Sequence, residues 1–431
     1  MSEPLRFPEG FLWGSATAAH QVEGGNENNQ WWAWEQQPGR IWHDDRSGMA
    51  CDWWRNAERD LATAADLGQN AHRLSLEWSR IEPHDGEFDP AAIERYRRIL
   101  SFMRERGIRP LVTLHHFTHP LWFDARGGWF HPDAVRRFDH YVAYTVGALS
   151  DLCDMWCTIN EPTVYAMQGY LLGEWPPGAR NPLQAFRVMA TLLQAHAAAA
   201  ATIHRIDPAL RVGLAHHLRI MDPVNPRSAD VGVAAAYDAI FNSIVLRALA
   251  SGRLLPPLGV GQLVSGLRGS CDFFGLNYYT RDHVAFDRGG EGVLFARRFT
   301  PENLPRSDAT HTGLPYGEIY PQGLYRSLKR VARYGLPILI TEIGVPDDDD
   351  DQRPAFMLSH LAAVHRAIRD GIDVRGVFWW SLIDNFEWSE GWGLRFGLIA
   401  LDHVSGERRV RRSGALYAAI ARANALPADS R

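Results

Sequence analysis

The sequence predicts an α/β protein, a single (β/α)8 (TIM) barrel that spans residues 1–431. Eight short apolar runs alternate with longer segments of helical pattern along the chain, which is typical of repeated βα units. No glycine-rich phosphate loop follows an early run, as an open, doubly wound nucleotide-binding sheet would require. No Ser/Gly-rich or Pro-rich linker divides the 431 residues, and α/β barrels of this length are usual as one domain.

The eight apolar runs predict the barrel strands. Each run is short and, apart from Arg73 in the second, free of charged residues, as expected for parallel strands that are buried on both faces. They cover residues 11–13, 71–76, 110–114, 155–159, 212–215, 273–276, 338–340 and 377–380.

Helical patterns fill the intervals between the runs. Residues 90–106 follow Asp89, a suitable N-cap, and stop at Gly107, so both ends of this helix are marked. The same kind of pattern predicts helices at residues 132–149, 182–206, 231–250 and 354–370. Eight such βα units close into a barrel.

Composition excludes several classes of protein. The chain is 46% hydrophobic and 22% charged, and a chain of this length buries a large core without disulfides or a structural metal. Its formal charge of −5 argues against nucleic acid as the main partner. The 16 tryptophans favour a site that stacks flat apolar faces, such as those of sugar rings.

The chain shows no sign of export or of a membrane span. The first residues lack a basic segment followed by an apolar one, and no stretch approaches 18 uncharged apolar residues. We therefore expect a cytoplasmic protein with no membrane partner. The four cysteines, which lack zinc-site spacing, are expected to be reduced and buried: Cys51, Cys153, Cys157 and Cys271.

Polar residues at the ends of the predicted strands are the candidates for chemistry, because barrel enzymes react at that face. Glu161 follows the fourth run and Glu342 follows the seventh, so their carboxyl groups can face each other across the barrel mouth. Two carboxyl groups across a small gap cleave glycosidic bonds, one as a general acid and the other as a nucleophile or base. Further polar residues near strand ends are Gln21, Glu23, Arg73, His115, His116, Asn160, Asn277, Tyr278, Tyr279, Glu387 and Trp388.

Histidines raise the alternative of a metal-dependent hydrolase. His115, His116 and His119 lie together after the third run, but a barrel metal site usually needs an H-x-H pair near the first strand, where only His20 occurs. We therefore expect no metal and no cofactor. The acidic run 347–351 is interpreted as solvated loop charge rather than a calcium site, and the basic run 408–412 as surface or ion-paired charge.

Several long motifs resemble those of family 1 glycoside hydrolases, the β-glucosidase family. Residues 7–24, F-P-E-G-F-L-W-G-S-A-T-A-A-H-Q-V-E-G, are similar to the family's N-terminal signature. T-I-N-E-P at 158–162 and I-T-E-I-G at 340–344 resemble the motifs that hold the acid/base and the nucleophile. W-S-L-I-D-N-F-E-W at 380–388 resembles the sugar-binding motif, and shorter matches occur at 169–178 and 395–398.

The resemblance implies a retaining β-glucosidase that hydrolyses non-reducing terminal β-D-glucosyl residues, with β-galactosidase and β-fucosidase side activity. It implies Glu161 as the acid/base, Glu342 as the nucleophile, and Arg73 and Asn277 as supporting residues. The residues implied to bind the sugar are Gln21, His116, Asn160, Tyr279, Trp380, Glu387 and Trp388. The implied partners are small β-glycosides or short oligosaccharides.

Two positions depart from the family pattern. Ile343 replaces the usual Asn after the nucleophile, and we expect its side chain to point away from the sugar. Residues 116–118 read H-F-T instead of H-W-D, which keeps His116 and alters the neighbouring leaving-group side.

Two alternative functions stay open from the sequence. A 6-phospho-β-glycosidase would need small polar and basic residues near Glu387, whereas this chain has Trp388-Ser389-Glu390 and an expected ionised Glu387. A non-catalytic carbohydrate-binding barrel would lack one of the two glutamates, and both are present here.

Overall fold

Eight parallel strands form a closed barrel in the computed structural model, which describes residues 4–289 and 295–427. Each strand pairs with the next along the chain, and the last pairs with the first. The strands are β1 Leu12–Ala16, β2 Ala71–Ser75, β3 Arg109–His115, β4 Met155–Asn160, β5 Arg211–His217, β6 Phe273–Tyr278, β7 Ile338–Ile343 and β8 Val374–Trp380. The predicted fold class and all eight predicted strands are confirmed. The predicted domain, residues 1–431, also includes residues outside the described ranges.

A layer of helices surrounds the barrel. The principal helices are α1 Trp53–Asp66, α2 Pro90–Glu105, α3 Ala134–Leu149, α4 Pro182–Ile206, α5 Ser228–Ser251, α6 Pro321–Ala332, α7 Arg353–Arg369 and α8 Arg412–Ala423. The five predicted helices correspond to α2, α3, α4, α5 and α7, whereas α1, α6 and α8 were not predicted.

Local sequence explains where these elements begin and end. The Asp89 side chain accepts a hydrogen bond from the backbone N–H of Ala91 (2.8 Å), so it caps α2 as expected. The chain leaves the helix at Gly107, whose φ of +72° favours glycine. The strands are mostly apolar because the barrel interior and the helix layer bury both of their faces, and every residue of β7 is buried.

A small three-stranded sheet lies beside the barrel mouth and was not predicted. It consists of Ile220–Pro223, Arg281–Phe286 and Ala296–Phe299. These segments follow β5 and β6, so the side sheet carries residues from two barrel loops toward the same edge of the mouth.

Among the described residues, one helix is long and apolar enough to cross a membrane by length and composition, namely α5. This helix was not recognised as such from the sequence because it carries Asp230, Asp238 and Arg247. It contains a π-helical turn at Ala239–Ser243, and Asp238 binds the Arg330 guanidinium of α6 through both oxygens (2.6 and 2.7 Å). In the structure α5 is thus a member of the barrel's helix layer.

The acidic run contains buried residues, so its interpretation as solvated charge is wrong in part. Asp347 is 1% exposed and accepts hydrogen bonds from two backbone N–H groups, and Asp350 pairs with the buried Arg353. The carboxyl oxygens of Asp347, Asp349 and Asp351 lie close enough to share a cation. Of these three residues, Asp349 and Asp351 are exposed and Asp347 is buried.

The basic run and the cysteines behave as predicted. Arg411 forms a buried ion pair with Asp384 (2.8 Å), and Arg408 pairs with Asp60 (2.7 Å). All four cysteines are free and buried.

Candidate active site

The carboxyl ends of the barrel strands open into one cavity of about 200 Å³. Several predicted site residues line it, together with residues that the sequence did not single out. The lining includes His116, Phe117, Glu161, His217, Arg219, Tyr279, Arg298, Tyr316, Glu342, Trp380, Glu387 and Trp388. Arg73, Asn160, Asn277 and Gln21 lie behind this lining and contact it through hydrogen bonds.

Glu342, near the end of β7, has a hydrogen-bond donor on each carboxyl oxygen. Arg73 on β2 donates to Oε1 (2.5 Å), and the Tyr279 hydroxyl donates to Oε2 (2.6 Å). Both donors and the carboxyl group are buried. This arrangement fixes the carboxylate in one orientation and complements a negative charge on it.

Arg73 also connects the two glutamates through Asn160. Its second terminal nitrogen donates to Asn160 Oδ1 (2.7 Å), and its Nε donates to Thr113 Oγ1 (3.0 Å). Asn160 precedes Glu161 at the end of β4, and its amide nitrogen lies 3.1 Å from His116 Nε2. The guanidinium, which is 1% exposed, is therefore a fixed cation beneath the site.

Glu161 stands at the turn between β4 and a short helix. Its backbone has φ +46° and ψ +62°, the left-handed region that non-glycine residues rarely adopt. The turn directs its carboxyl group into the cavity, where Asn277 Nδ2 donates to Oε1 (2.7 Å). Strain of this kind at a cavity-lining carboxyl is typical of functional sites.

The two glutamates sit in different electrostatic surroundings. Burial raises the pKa of Glu161 well above its usual range, and the negative charge of Glu342 raises it further. The raised pKa favours the protonated form of Glu161, while Glu342 lies against the Arg73 cation. The arrangement provides one proton donor and one carboxylate in the same cavity.

The inner end of the cavity offers polar groups to a small polyol. Gln21 Nε2 donates to Glu387 Oε2 (3.1 Å) and to Asn385 Oδ1 (2.8 Å). Gln21 Oε1 and His116 Nδ1 are buried and have no hydrogen-bond partner among the described residues, so each can bind a ligand hydroxyl. The Trp380 and Trp388 rings each stack against the His116 imidazole and form an aromatic wall.

The surroundings of Glu387 do not favour the expected ionised form. Burial raises the pKa of Glu387 to about 8, and the Glu342 charge contributes in the same direction. The carboxyl group is thus mostly protonated at neutral pH. Hydroxyl groups that donate to it would favour its ionised form.

Most of the other candidates from the sequence lie outside the cavity. Glu23 pairs with Arg80 (2.9 Å), and the Tyr278 hydroxyl donates to the backbone carbonyl of Tyr320 (2.6 Å). His115 and His119 are buried and are not among the residues that line the cavity, so the three histidines do not face it together. Ile343 packs into the core, away from the cavity, as expected.

One part of the cavity lining, called the leaving-group wall below, was not predicted from the sequence and consists of His217, Arg219, Arg298 and Tyr316. His217 ends β5, and its Nδ1 lies 3.7 Å from Glu161 Oε1. Its position directly after the fifth apolar run was a usable signal, because strand ends were the criterion. Arg298 and Tyr316 come from the long segment between β6 and α6, which has no such signal. Trp175 also lines the cavity.

Comparisons with known proteins agree with this geometry. The profile of glycosyl hydrolase family 1 matches residues 3–255 and 260–426. The chain is 32% identical to "Beta-glucosidase A" of Thermotoga maritima, over 98% of this chain and 99% of that protein. It is also 31% identical to a "Beta-galactosidase" of Pyrococcus woesei, over 93% of this chain and 94% of that one.

Solved structures are similar over nearly the whole chain. A β-glycosidase from Pyrococcus horikoshii superposes with a TM-score of 0.91 at 40% identity and covers 99% of this chain and 97% of its own. A β-glucosidase from Thermotoga maritima in complex with glucoimidazole gives a TM-score of 0.91 at 30% identity, over 98% of this chain and 100% of its own. The chain belongs to glycosyl hydrolase family 1 and is a retaining glycoside hydrolase.

Proposed function

We propose that the enzyme hydrolyses unphosphorylated β-D-glucosides, with Glu342 as the nucleophile and Glu161 as the acid/base. The observation that carries this proposal is the opposite environment of the two buried carboxyl groups. Glu342 accepts from Arg73 and Tyr279, whereas burial and the Glu342 charge raise the pKa of Glu161. The former suits a nucleophile and the latter suits a proton donor.

The first step forms a covalent glycosyl–enzyme. A Glu342 oxygen attacks the anomeric carbon, the bond from that carbon to the glycosidic oxygen breaks, and Glu161 gives its proton to the departing oxygen. The ester at Glu342 no longer carries a negative charge. The pKa of Glu161 then falls because one of the causes that raised it is gone.

The second step releases the sugar. Glu161, now a carboxylate, takes a proton from water, and the water oxygen attacks the anomeric carbon from the face that the leaving group vacated. The bond to Glu342 breaks and restores its carboxylate. Two inversions give a product with the β configuration of the substrate.

The inner end of the cavity favours a neutral sugar. Gln21, His116 and Glu387 offer hydrogen-bonding groups to hydroxyls, and Trp380 offers an aromatic face to the ring. A phosphate dianion there would lie near the Glu342 charge, with Glu390 close to Glu387. Relatives named β-glucosidase and β-galactosidase support β-glucosides as main substrates and β-galactosides as secondary ones. The further proposal of β-fucosides as secondary substrates rests on the resemblance of the sequence motifs alone.

Azide rescue tests the two catalytic roles. Glu342→Ala is expected to abolish turnover of aryl β-glucosides, and added azide is expected to restore it with α-glucosyl azide as the product. Glu161→Ala is expected to yield β-glucosyl azide from substrates with good leaving groups. A control, Glu105→Ala at the exposed end of α2, is expected to form neither azide. Exchange of the two product anomers would overturn the role assignment.

Kinetics on matched substrates test the substrate class. We expect kcat/KM for p-nitrophenyl β-glucoside to exceed that for its 6-phosphate, with lower but measurable values for the β-galactoside and β-fucoside. A preference for the 6-phosphate would show that Glu387 does not face the sugar.

A further inference from the structure

Two arginines, one from the segment after β5 and one from the segment after β6, line the cavity. Arg219 lies two residues beyond the end of β5, and Arg298 lies on the side-sheet strand Ala296–Phe299. Their side chains are only 18% and 29% exposed. Burial of two guanidinium groups in one cavity wall costs free energy unless a negative charge lies close to them.

The protein supplies only part of that charge. Both guanidinium groups approach the same oxygen of Asp282, Arg298 at 3.1 Å and Arg219 at 3.5 Å. Arg219 makes one further, long hydrogen bond to the backbone carbonyl of Tyr316 (3.4 Å), and its buried Nε has no partner among the described residues. Glu174 is the other carboxylate near Arg298, and it is exposed to solvent. The pair therefore keeps a positive charge and an unused donor.

The position of these arginines places them on the leaving-group side. Arg219 follows His217, whose ring lies 3.7 Å from the Glu161 carboxyl group. Glu161 protonates the departing oxygen, so the groups beyond it face the aglycone. The carboxyl groups on the sugar side have other partners than these arginines. Glu387 accepts a hydrogen bond from Gln21, and Glu390 pairs with His311 (2.6 Å).

The wall near the arginines also offers an apolar surface. Val164, Met167 and Phe241 line the same cavity, and Met167 and Phe241 belong to one buried cluster with residues of the side sheet. An aromatic ring would pack on this surface, and a carboxylate on the ring would meet the guanidinium groups.

We infer that the aglycone site selects β-glucosides whose leaving group is an aromatic carboxylic acid, which Arg219 and Arg298 bind as the carboxylate. This inference rests on the proposed function, because it requires that the sugar lie at Gln21 and Glu387 and that Glu161 protonate the leaving group. The enzyme would thus bind an uncharged sugar on one side of the glycosidic bond and an anionic leaving group on the other side.

A matched pair of substrates tests the inference. The β-glucosides of 4-hydroxyphenylacetic acid and of its methyl ester differ in charge at a distance from the glycosidic oxygen. We expect kcat/KM to be about tenfold higher for the acid than for the ester, the effect of one hydrogen bond to a charged group. In Arg219→Gln and in Arg298→Gln this ratio is expected to fall toward one.

Arg297→Gln is the matched control, because Arg297 is the exposed neighbour of Arg298 and lies over the Phe299 ring (4.7 Å). It is expected to keep the native ratio. Inhibition of the unmodified enzyme by free 4-hydroxyphenylacetate, compared with its methyl ester, gives a second readout that needs no variant. Stronger inhibition by the acid is expected.

The outcomes separate this inference from the proposed function. Hydrolysis of the ester with no preference for the acid, or a preference that survives in both arginine variants, would overturn the inference and leave the β-glucosidase activity standing. Failure to hydrolyse the two test glucosides by an enzyme that does hydrolyse p-nitrophenyl β-glucoside would also overturn the inference alone. Failure to hydrolyse p-nitrophenyl β-glucoside would overturn the proposed function and the inference with it.

Discussion

Substitution of Asn277 by leucine perturbs the pKa of Glu161, the proposed acid/base. Asn277 lies on β6, is fully buried, and donates from Nδ2 to Glu161 Oε1 at 2.7 Å. This hydrogen bond favours the ionised form of Glu161 and opposes the effect of burial. Leucine has a similar volume, supplies no donor and leaves little room for a water molecule. Asn277→Leu should therefore raise the pKa of Glu161 further.

The expected shift follows from the strength of the lost hydrogen bond. A hydrogen bond to a charged group contributes about 1.5 to 3 kcal/mol, and one pKa unit corresponds to about 1.36 kcal/mol. The pKa of Glu161 should thus rise by about one to two units. Because the first step requires protonated Glu161, kcat/KM falls as this group loses its proton. A higher pKa moves the alkaline limb of the profile to higher pH.

The assay is the pH profile of kcat/KM for p-nitrophenyl β-glucoside in both proteins. Glu387 also titrates, with a pKa of about 8, but Asn277 does not contact it, so the difference between the two profiles reports Glu161. Asn70→Leu, at the opposite end of the barrel before β2, is the control and should leave the limb in place. An alkaline limb that stays in place or moves to lower pH in Asn277→Leu would refute the assignment of Glu161 as the acid.

Three further predictions concern the groups around Glu342 and Glu387. Arg73→Met leaves the buried Glu342 without its cation and should lower the free energy of unfolding by about 3 to 5 kcal/mol, measured by urea denaturation. Tyr279→Phe removes the 2.6 Å hydrogen bond to Glu342 and should lower kcat/KM by about tenfold or more, with an unchanged circular dichroism spectrum. KM for β-glucosides should fall as the pH rises through about 8, since ionised Glu387 accepts sugar hydroxyls, and Glu387→Gln should show a higher KM without this dependence.

The barrel could be predicted from the sequence because its strands are buried on both faces. That burial makes each strand a short and mostly apolar run, as in β7, where every residue is buried. The helix α1, Trp53–Asp66, was missed although it is amphipathic, because charged residues interrupt its apolar ones. The side sheet was missed because strands such as Arg281–Phe286 mix charged and apolar residues and are only half-buried.

The proposed catalytic pair could be predicted for a different reason. Glu161 and Glu342 directly follow apolar runs, and the topology of a parallel barrel carries all such positions to one face. The leaving-group wall has no equivalent rule. Arg298 reaches the cavity only because the side sheet folds back over the mouth and Asp282 holds its guanidinium (3.1 Å). The protonation of Glu387 likewise depends on burial by distant segments.

Trapping of the covalent intermediate tests the central claim most directly, namely that Glu342 is the nucleophile of a double displacement. The native enzyme is incubated with 2,4-dinitrophenyl 2-deoxy-2-fluoro-β-glucoside, digested, and its peptides are sequenced by mass spectrometry. The account predicts inactivation, a mass increase of one fluoroglucosyl group, and its location on Glu342. A label on Glu161 or on any other residue would contradict it.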